Sequence, residues 1–498
     1  MPNALQDLFP KPRSVGRVGV VDIGSNSVRL VVFDGNTRNP DYFFNEKIMC
    51  ELGAGLSKTG RLNPEGRSRA MRELTRFQAL ADMLDTGPLI AVATAAVRDA
   101  ADGPEFCCEV KHQTGLDIIV LSGAQEAELS ACGVLMGRPD SSGCVVDIGG
   151  ASMEVAQLDK GQITSCQTSP LGPLKLIDVG DTDRSDHIRK HVKSLYKTTN
   201  MKAQPMILVG GSWRAIARID MHRRDYPLHV LHEYDLSLEA VQRTRALIAA
   251  QDPEELRRIC GISAARMALL PLAIQVLEDL ITRFAPTRVS ISAFGLREGV
   301  LFTQLRPKLR DADPLLKTCY RAEELHARQP GFGDQLARFV APLFQGRDLQ
   351  IQRLIHAAAL IHDIAWRTHP DFRADACFDF VTRANMAKLS HQERIFLAVA
   401  LSYRYRNKTV DLDPFTALIT PQWARDAQIL GRALRFGAMF LLRSDPEHMP
   451  AQLEWNAKKM TLTLHLDAAA QPLYGEISEK RFEALAKALQ AQTNVLSQ

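Results

Sequence analysis

The sequence has no long apolar run of the kind that crosses a membrane. Its apolar residues never approach the roughly 20 consecutive positions that a transmembrane helix needs. The residues up to Ser14 include charges and prolines but no apolar signal core. We therefore expect a cytoplasmic protein without a membrane span.

Cysteine pairs and an excess of one charge are also lacking. The 9 cysteines among 498 residues have no Cys-x-x-Cys spacing, which is typical of reduced, mostly buried thiols. The net charge of +4 does not indicate nucleic-acid binding, although a local basic surface can still bind a polyanion. The 46% of hydrophobic residues is ordinary for a globular protein, and the length predicts about three domains.

One segment of the chain occurs twice in related form. Residues 20–27 read Val-Val-Asp-Ile-Gly-Ser-Asn-Ser, and residues 145–152 read Val-Val-Asp-Ile-Gly-Gly-Ala-Ser. Each copy is an apolar strand ending in Asp, then a turn of small residues, then a second strand, which is the pattern of a β-hairpin. The two copies predict two related lobes that each open with a hairpin.

The two turns have the composition of a phosphate site. Gly and Ser let backbone N–H groups converge on an anion, and the hydroxyl and amide side chains add neutral donors. The predicted phosphate-binding residues in these turns are Ser25, Asn26, Ser27, Gly149, Gly150, Ala151 and Ser152. One such turn alone is more often only a tight turn, but repetition of the same Asp, Gly and Ser favours a site.

An acidic residue closes the strand before each turn. Asp22 and Asp147 would repel a phosphate unless a divalent cation lay between the carboxylates and the anion. The sequence therefore predicts Mg²⁺ at this place.

Helices and strands alternate between the two copies. Asn63 and Pro64 have the pattern of a helix N-terminus, and apolar residues follow at helical spacing as far as Leu84. Residues 88–94 and 117–121 are typical of buried strands. This alternation predicts α/β architecture.

Two charged side chains follow predicted strands. Glu126 falls in the first turn of a helix that Ser122 caps and that runs to about Gly133. A carboxylate there can deprotonate a water, or it can simply complement the helix dipole. Arg98 ends the strand and small-residue run 91–97, where it can clamp phosphate oxygens or be salt-bridged or solvated.

Two further glycine turns come after strands. Gly210, Gly211 and Ser212 follow the apolar residues 206–209 and suit a phosphate or a nucleotide at a helix N-terminus. Residues 289–299 repeat the order of strand, glycine and helix, and we interpret them as a helix entry without a ligand.

These motifs, in this order, resemble the exopolyphosphatase and guanosine pentaphosphate phosphohydrolase family, whose core belongs to the actin, sugar kinase and chaperone superfold. The resemblance covers about residues 15 to 305 and rests on residues 21–27, 52–56, 94–98, 122–127, 147–150, 209–212 and 295–299. It implies two actin-like, ribonuclease H-like lobes around a cleft. It also implies that Glu126 is the catalytic carboxylate, that Asp147 and Glu154 are associated with the metal, and that Arg98 reaches into the cleft. Asp22 is a further predicted metal ligand, because it closes the strand before the first turn.

The second turn departs from the family pattern. Ala151 and Met153 stand where the family usually has Gly and Thr. Met153 removes a possible hydroxyl donor, which bears on phosphate affinity more than on the type of reaction.

The resemblance implies an exopolyphosphatase, which removes terminal phosphate from inorganic polyphosphate with Mg²⁺, and it allows stimulation by a monovalent cation such as K⁺. We further expect a homodimer that binds no nucleic acid. Guanosine pentaphosphate is the alternative substrate, because the motifs serve any terminal phosphoanhydride. A nucleotide-binding regulator of the actin and chaperone superfold is the third possibility, against which Trp213 and Arg214 would crowd a base pocket.

Three regions are expected: lobe I at 1–133, lobe II at 134–305 and a mainly helical domain at 306–498 with a small α/β appendage. His362 and Asp363 in an apolar helix are similar to metal-dependent HD phosphohydrolases. The further candidates His369 and His391 complete no ligand pattern, so we expect a degenerate HD-like domain.

Basic residues of this third region are interleaved with Tyr403 and Tyr405. Together they suit a binding surface for a long polyanion, although each one alone can simply lie on a solvated helix face. This predicted basic track consists of Arg404, Arg406, Lys408, Arg432, Arg435 and Arg443.

Overall fold

The computed structural model describes residue 9 and residues 16–199, 202–407, 410–440 and 449–497. The chain forms two compact units, Met1–Ala312 and Asp313–Gln498. Two residues of the predicted basic track, Lys408 and Arg443, lie outside the described residues.

In the described part of the first unit, the strands form two five-stranded sheets. The strands are β1 Val18–Ile23, β2 Ser27–Phe33, β3 Tyr42–Met49, β4 Ile90–Ala93, β5 Ile118–Val120, β6 Gly143–Ile148, β7 Met153–Asp159, β8 Gln162–Ser169, β9 Met206–Val209 and β10 Val289–Ile291.

Both sheets have the same strand order. The first runs β3-β2-β1-β4-β5, and the second, read from the matching edge, runs β8-β7-β6-β9-β10. In each sheet the three strands of the hairpin side are antiparallel and the remaining pairings are parallel. The sequence repeat is therefore a repeat of a whole sheet, which confirms the predicted α/β fold with two related lobes.

Helices cover the sheets and bury their apolar side chains. β1 and β6 are apolar except for the Asp next to their last residue, and they are almost fully buried, as expected of strands covered on both faces. The core of the first sheet includes Phe77 and Phe106, and that of the second includes Trp213 and Phe284. The polar ends of β1 and β6 are left to form a site.

The helices of the first unit connect these strands. They are α1 Leu56–Thr59, α2 Pro64–Met83, α3 Ala95–Asp99, α4 Gly103–Thr114, α5 Gly123–Gly137, α6 Pro173–Ile177, α7 Asp181–Thr198, α8 Gly211–Arg223, α9 Leu238–Ala250, α10 Pro253–Cys260, α11 Ala264–Phe284, α12 Leu296–Gln304 and α13 Pro307–Arg310. As predicted, α2 begins at Pro64 and buries Met71, Leu74 and Phe77 on one face.

Two details differ from the sequence prediction. The hydroxyl of Ser122 accepts the N–H of Gln125 and caps α5 as expected, but α5 continues past Gly133 because its last turn is also buried. Arg98 does not end a strand: β4 stops at Ala93, and Arg98 lies in the short helix α3.

Helices α5 and α12 touch backbone to backbone at two glycines. A Cβ on Gly299 would lie 1.8 Å from the carbonyl oxygen of Leu129, and one on Gly133 would lie 2.1 Å from that of Gly295. A larger residue cannot fit at either position without moving a helix. Because α5 also carries Glu126, this contact holds the helix that presents Glu126.

The second unit is mainly helical. Its described helices are α14 Pro314–His326, α15 Phe332–Val340, α16 Leu349–Leu360, α17 Arg373–Arg383, α18 His391–Tyr405, α19 Pro421–Gly437 and α20 Glu476–Leu489, with short 3₁₀ turns between some of them. Three strands, β11 Ala451–Asn456, β12 Thr461–Leu466 and β13 Gln492–Ser497, form one sheet in that order. The predicted α/β appendage at the end of the chain is confirmed.

Among the described helices, no single one is both long enough and apolar enough to cross a membrane. Helices α10 and α11 meet that test only together, with a bend of 102° between them. Most apolar side chains of α11 are buried in the core of the second sheet.

Candidate active site

The two predicted phosphate turns lie against each other. A Cβ on Gly150 would be 3.5 Å from the Cβ of Ser25. The same hydrogen bond closes both turns, since Gly24 N–H donates to Ser27 O at 3.0 Å and Gly149 N–H donates to Ser152 O at 2.9 Å. The fold thus brings the two copies of the motif to one place.

A second loop supports each turn from behind. Gly53 N–H donates to the carbonyl of Ser25, and Leu174 N–H donates to the carbonyl of Gly150, each at 2.8 Å. These bonds occupy carbonyl oxygens, which would otherwise repel an anion. The supporting loops therefore keep these carbonyl oxygens hydrogen-bonded to protein.

The backbone donors of the turns are not all equally available. Gly149 N–H is already bonded to Ser152 O. For the N–H groups of Asn26 and Ala151, no acceptor is found within the described residues. Donors of this kind at the centre of a small-residue turn suit an anion.

The third glycine turn lies beside Asp147. A Cβ on Gly210, whose φ is +113°, would be 3.0 Å from Asp147 Oδ1. The guanidinium of Arg266 covers Gly211 so closely that a Cβ there would meet it at 1.6 Å, and Ser212 is buried. This turn therefore contacts the end of β6 and an arginine.

Trp213 does not face the cleft. Its ring is fully buried in the core of the second sheet, so the prediction that it crowds a base pocket is wrong. The neighbouring Arg214 donates through Nε to Gly210 O at 3.2 Å.

Strand register arranges polar residues in two rows, each on one face of a sheet. The row in the first sheet, which we call the basic row, consists of Asp22, Arg29 and Lys47. The row in the second sheet, which we call the acidic row, consists of Asp147, Glu154 and Thr168. The two lobes therefore share a fold but differ in charge at equivalent positions.

The carboxylates of the acidic row are hydrogen-bonded, Glu154 fully buried and Asp147 half-buried. The hydroxyl of Ser130 on α5 donates to Asp147 Oδ2, and that of Thr168 donates to Glu154 Oε1 at 3.1 Å. Burial, followed by the charge of Glu126, raises the pKa of Glu154 well above its usual value. Burial also raises the pKa of Asp147, against the hydrogen bond from Ser130.

Glu126 joins this row because α5 packs against β7 and β8. Its Oε2 accepts a hydrogen bond from Arg98 Nη1 at 3.2 Å, and the same nitrogen donates to Leu121 O at 3.0 Å. Burial outweighs the charge of Arg98, and with repulsion from Asp147 it raises the pKa of Glu126 to about 7. A carboxyl group that titrates near neutrality is suited to general base catalysis.

Arg98 forms hydrogen bonds with protein groups near Glu126. Its Nε also donates to Asp99 Oδ1 at 3.3 Å. The geometry makes Arg98 an electrostatic partner of Glu126, and its role as a phosphate ligand stays a prediction.

The acidic row has suitable ligands for Mg²⁺. Asp147, which is half-buried, and Glu154, which is fully buried, are directly opposed carboxylates that repel each other unless a cation or protons intervene. No three potential ligands converge among the described residues, but Mg²⁺ usually takes only one or two carboxylates and completes its shell with water and phosphate oxygens. Asp22, in contrast, lies in the basic row, 3.7 Å from Arg297 Nη1.

The two cations of the basic row and three further arginines form a group of five, which we call the cleft cations. They are Arg29, Lys47, Arg214, Arg266 and Arg297. Burial and the charges of Arg297 and Arg214 lower the pKa of Arg29 to about 10. Burial and the charges of Arg266 and Arg29 lower the pKa of Lys47 to about 8. Like charges this close are relieved when a polyanion binds. None of the five was predicted from the sequence as a phosphate-binding residue.

Met153 lies on the face of β7 opposite to Glu154. Its side chain is fully buried in the core of the second sheet. The expectation that Met153 removes a hydroxyl donor from the phosphate site is therefore wrong, because a side chain at this position points away from the turn.

We expect Met153→Thr to lower the free energy of unfolding by about 2 to 4 kcal/mol, since it deletes buried volume and buries a hydroxyl. The KM for substrate should not change. Urea unfolding and steady-state kinetics measure the two effects, with Met153→Leu as the control that keeps volume. Tighter substrate binding by the Thr variant would contradict this placement.

In the second unit, His362 and Asp363 have protein partners. Arg328 donates to both carboxylate oxygens of Asp363, at 2.7 and 2.9 Å. His362 Nδ1 lies 2.7 Å from Ala359 O, and burial with the charge of Arg404 lowers the pKa of His362 to about 3. That this pair holds no metal stays a prediction.

Two lobes with the same sheet order, each with a glycine turn in its hairpin, define a protein of the actin-like class. Residues 18–308 match the Ppx/GppA phosphatase family, and residues 322–496 match the C-terminal domain of exopolyphosphatase. The chain belongs to the Ppx/GppA phosphatase family, as the motifs predicted.

Curated relatives support this assignment. The chain is 25% identical over 305 residues to Exopolyphosphatase 1 of Mycobacterium bovis, an alignment that covers 58% of this chain and 88% of that protein. Exopolyphosphatase 1 of Mycobacterium leprae is 23% identical over 320 residues, which is 61% of this chain and 94% of that protein.

Solved structures agree on the fold. An exopolyphosphatase from Cytophaga hutchinsonii superposes with a TM-score of 0.53 at 28% identity and covers 58% of this chain and 97% of its own. The Ppx/GppA family member of Aquifex aeolicus gives a TM-score of 0.51 at 23% identity, with the same coverage of 58% and 97%. The predicted actin-like fold is confirmed.

Proposed function

We propose that this protein is an exopolyphosphatase, which hydrolyses the terminal phosphate of inorganic polyphosphate. The observation that carries the proposal is Glu126, a buried carboxylate whose pKa is raised to about 7 and whose neighbours include Asp147 and Asp22, the residues that precede the two turns. The relatives named exopolyphosphatase support the choice of substrate.

The cleft cations suit a substrate with many charges. An inorganic polyphosphate chain carries about one negative charge per phosphate, so one terminal phosphate at the turns leaves further charges to be neutralised nearby. Arg29 and Lys47 on one lobe and Arg266 on the other provide that neutralisation. A neutral or singly charged substrate would not relieve the repulsion among the cleft cations.

The residues divide the chemistry between them. Asp147 and Glu154 would hold Mg²⁺, which supplies positive charge that polarises the terminal phosphoryl group. Glu126 accepts a proton from a water whose oxygen bonds to the terminal phosphorus, and the bridging P–O bond breaks. The products are orthophosphate and a chain that is one phosphate shorter.

The chain's other groups position the reactants. The N–H groups of Asn26 and Ala151 suit the oxygens of the terminal phosphate, and Arg98 orients the carboxylate of Glu126. Positioning and charge stabilisation account for most of the catalysis of phosphoryl transfer.

We expect Arg98→Met to move the acid limb of the pH profile of kcat/KM to higher pH. The charge of Arg98 lowers the pKa of Glu126, so its removal raises that pKa, and the base form needed for activity is lost at a higher pH. The profile is measured at saturating Mg²⁺. Lys175→Met is the control, since Lys175 pairs with Asp99 at 3.2 Å and not with Glu126. An acid limb at the same pH in the Arg98→Met variant would show that Arg98 does not act on the group that titrates.

The proposed substrate is tested by comparing rates on long-chain polyphosphate and on guanosine pentaphosphate, at equal concentrations of terminal phosphate. We expect faster phosphate release from polyphosphate. Faster release from guanosine pentaphosphate would assign the alternative hydrolase activity. Tight binding of ATP with Mg²⁺ in calorimetry, together with hydrolysis of neither substrate, would favour a nucleotide-binding regulator and overturn the proposal.

A further inference from the structure

Four arginines of the second unit lie on three helices, of which α19 packs against both α18 and α20. We call this group the arginine cluster, and it consists of Arg404 on α18, Arg432 and Arg435 on α19, and Arg481 on α20. Three of them belong to the predicted basic track. Arg481 was not predicted, because it lies far along the chain.

Close helix packing brings the cluster together. A Cβ on Gly431 would lie 2.1 Å from Ala400 O, so α19 approaches α18 as closely as a glycine permits. Phe436 of α19 stacks on Phe482 of α20, with ring centroids 5.1 Å apart and an interplanar angle of 25°. The residues that precede these two rings are Arg435 and Arg481, and Arg481 Nη1 donates to Arg435 O at 3.4 Å.

Arg404 is the most buried member. Its exposed fraction is 8%, and its Nε has no hydrogen-bond partner within the described residues. The carboxylate that acts on its charge is Asp363, which already accepts two hydrogen bonds from Arg328. The charge of Arg404 is therefore poorly compensated.

The outer members have no acidic neighbour in the described part of the chain. Burial and then the charges of Arg481, Arg404 and Arg432 lower the pKa of Arg435 to about 10. Burial and the charge of Arg404 lower the pKa of Arg481. Arg432 Nε is also buried without a partner among the described residues.

Arg406 is an arginine of the same region whose charge is paired with an acidic residue. It forms an ion pair with Asp375, so this member of the predicted basic track is neutralised within the protein. The arginine cluster differs because its charges are partly buried and repel one another, and its outer members lack an acidic partner among the described residues, which is costly unless an anion binds there.

We propose that the arginine cluster is a binding site for a phosphate group in the second unit. Guanidinium groups match phosphate oxygens in a bidentate geometry and are the usual choice where phosphate is bound by side chains alone. The ligand is a small phosphate compound or one phosphate within a polyphosphate chain. The proposal does not depend on the catalytic role of Glu126.

The aromatic residues of the cluster argue for phosphate and against nucleic acid. Arg404 lies over the ring of Tyr405 at 4.9 Å, and Arg432 lies over the ring of Tyr403 at 5.5 Å. A single-stranded nucleic acid is usually bound by stacking bases on free aromatic faces. Here Arg404 and Arg432 cover the ring faces of the two tyrosines, and the rings orient the arginine side chains.

The test is arginine modification by phenylglyoxal on the full chain, read by peptide mass spectrometry. The three probes are orthophosphate, methylenediphosphonate, which is not hydrolysed, and long-chain polyphosphate in the presence of EDTA, and a single-stranded oligonucleotide is tested beside them. We expect protection of Arg435 and Arg481 with no protection of Arg406. Protection by the small probes identifies a pocket for a free phosphate compound, and protection by polyphosphate alone identifies a chain-binding site.

Variants test the cluster further. In Arg435→Gln and in Arg481→Gln, protection of Arg432 should need at least tenfold more probe, whereas Arg406→Gln should leave it unchanged. Both outer arginines are half-buried, and circular dichroism verifies that the variants fold. Absence of protection by all three probes, or protection only by an oligonucleotide, overturns the proposal, and neither result bears on turnover at Glu126.

Discussion

Replacement of Glu126 by Gln should lower the rate of phosphate release from polyphosphate by about 10²- to 10⁴-fold, the usual contribution of a general base. Gln keeps the size of the side chain and can still accept a hydrogen bond from Arg98, but it cannot take a proton from water. Polyphosphate binding, measured by calorimetry, should remain. The prediction thus separates chemistry from affinity.

The matched control is Glu128→Gln. Glu128 lies two residues further along α5 and is half-buried, but the structure gives it no bond to Arg98 or to the acidic row. It should keep nearly full activity. If Glu126→Gln turns over normally, another group activates the water. If both variants lose activity equally, the helix has been disturbed.

Removal of divalent cations with EDTA should abolish turnover, and Mg²⁺ should restore it. In Glu154→Gln we expect the Mg²⁺ concentration for half-maximal activity to rise at least about tenfold, because one of two opposed carboxylates is lost. Since burial and Glu126 raise the pKa of Glu154, a cation that binds there displaces protons. Calorimetry in buffers of different ionisation enthalpy should therefore detect proton release when Mg²⁺ binds.

Asp159→Asn is the control for this prediction. Asp159 is exposed at the end of β7, the strand that also carries Glu154, so its loss should change neither the Mg²⁺ requirement nor proton release. A Glu154→Gln variant with an unchanged Mg²⁺ requirement would remove Glu154 from the metal site. Full turnover in EDTA would remove the metal from the reaction.

Much of the fold follows from local patterns. The repeated Val-Val-Asp-Ile-Gly segments predicted two hairpins, and the sheets around them have the same order. Ser122 predicted the start of α5 because a cap needs only one hydroxyl and the next backbone N–H groups. Such features depend on residues a few positions apart, and therefore one sequence is enough to read them.

Part of the site was readable but was missed. Arg29 and Glu154 stand at the same distance after the Asp of each repeat, so a comparison of the two copies would have revealed one basic and one acidic partner. The periodicity of β7 likewise places Met153 and Glu154 on opposite faces, which a sequence reading can use without a structure.

The sequence by itself determined the two hairpins and the α/β alternation, and the family resemblance singled out Glu126, Asp147 and Glu154 as site residues. Only the tertiary structure decided that Arg266 covers Gly211, that Arg297 lies near Asp22, and that Arg481 meets Arg435. The physical reason is that periodicity reports which side of its own helix or strand a residue occupies. Which element packs against that side depends on contacts such as that of Phe436 with Phe482, between residues that the chain keeps far apart.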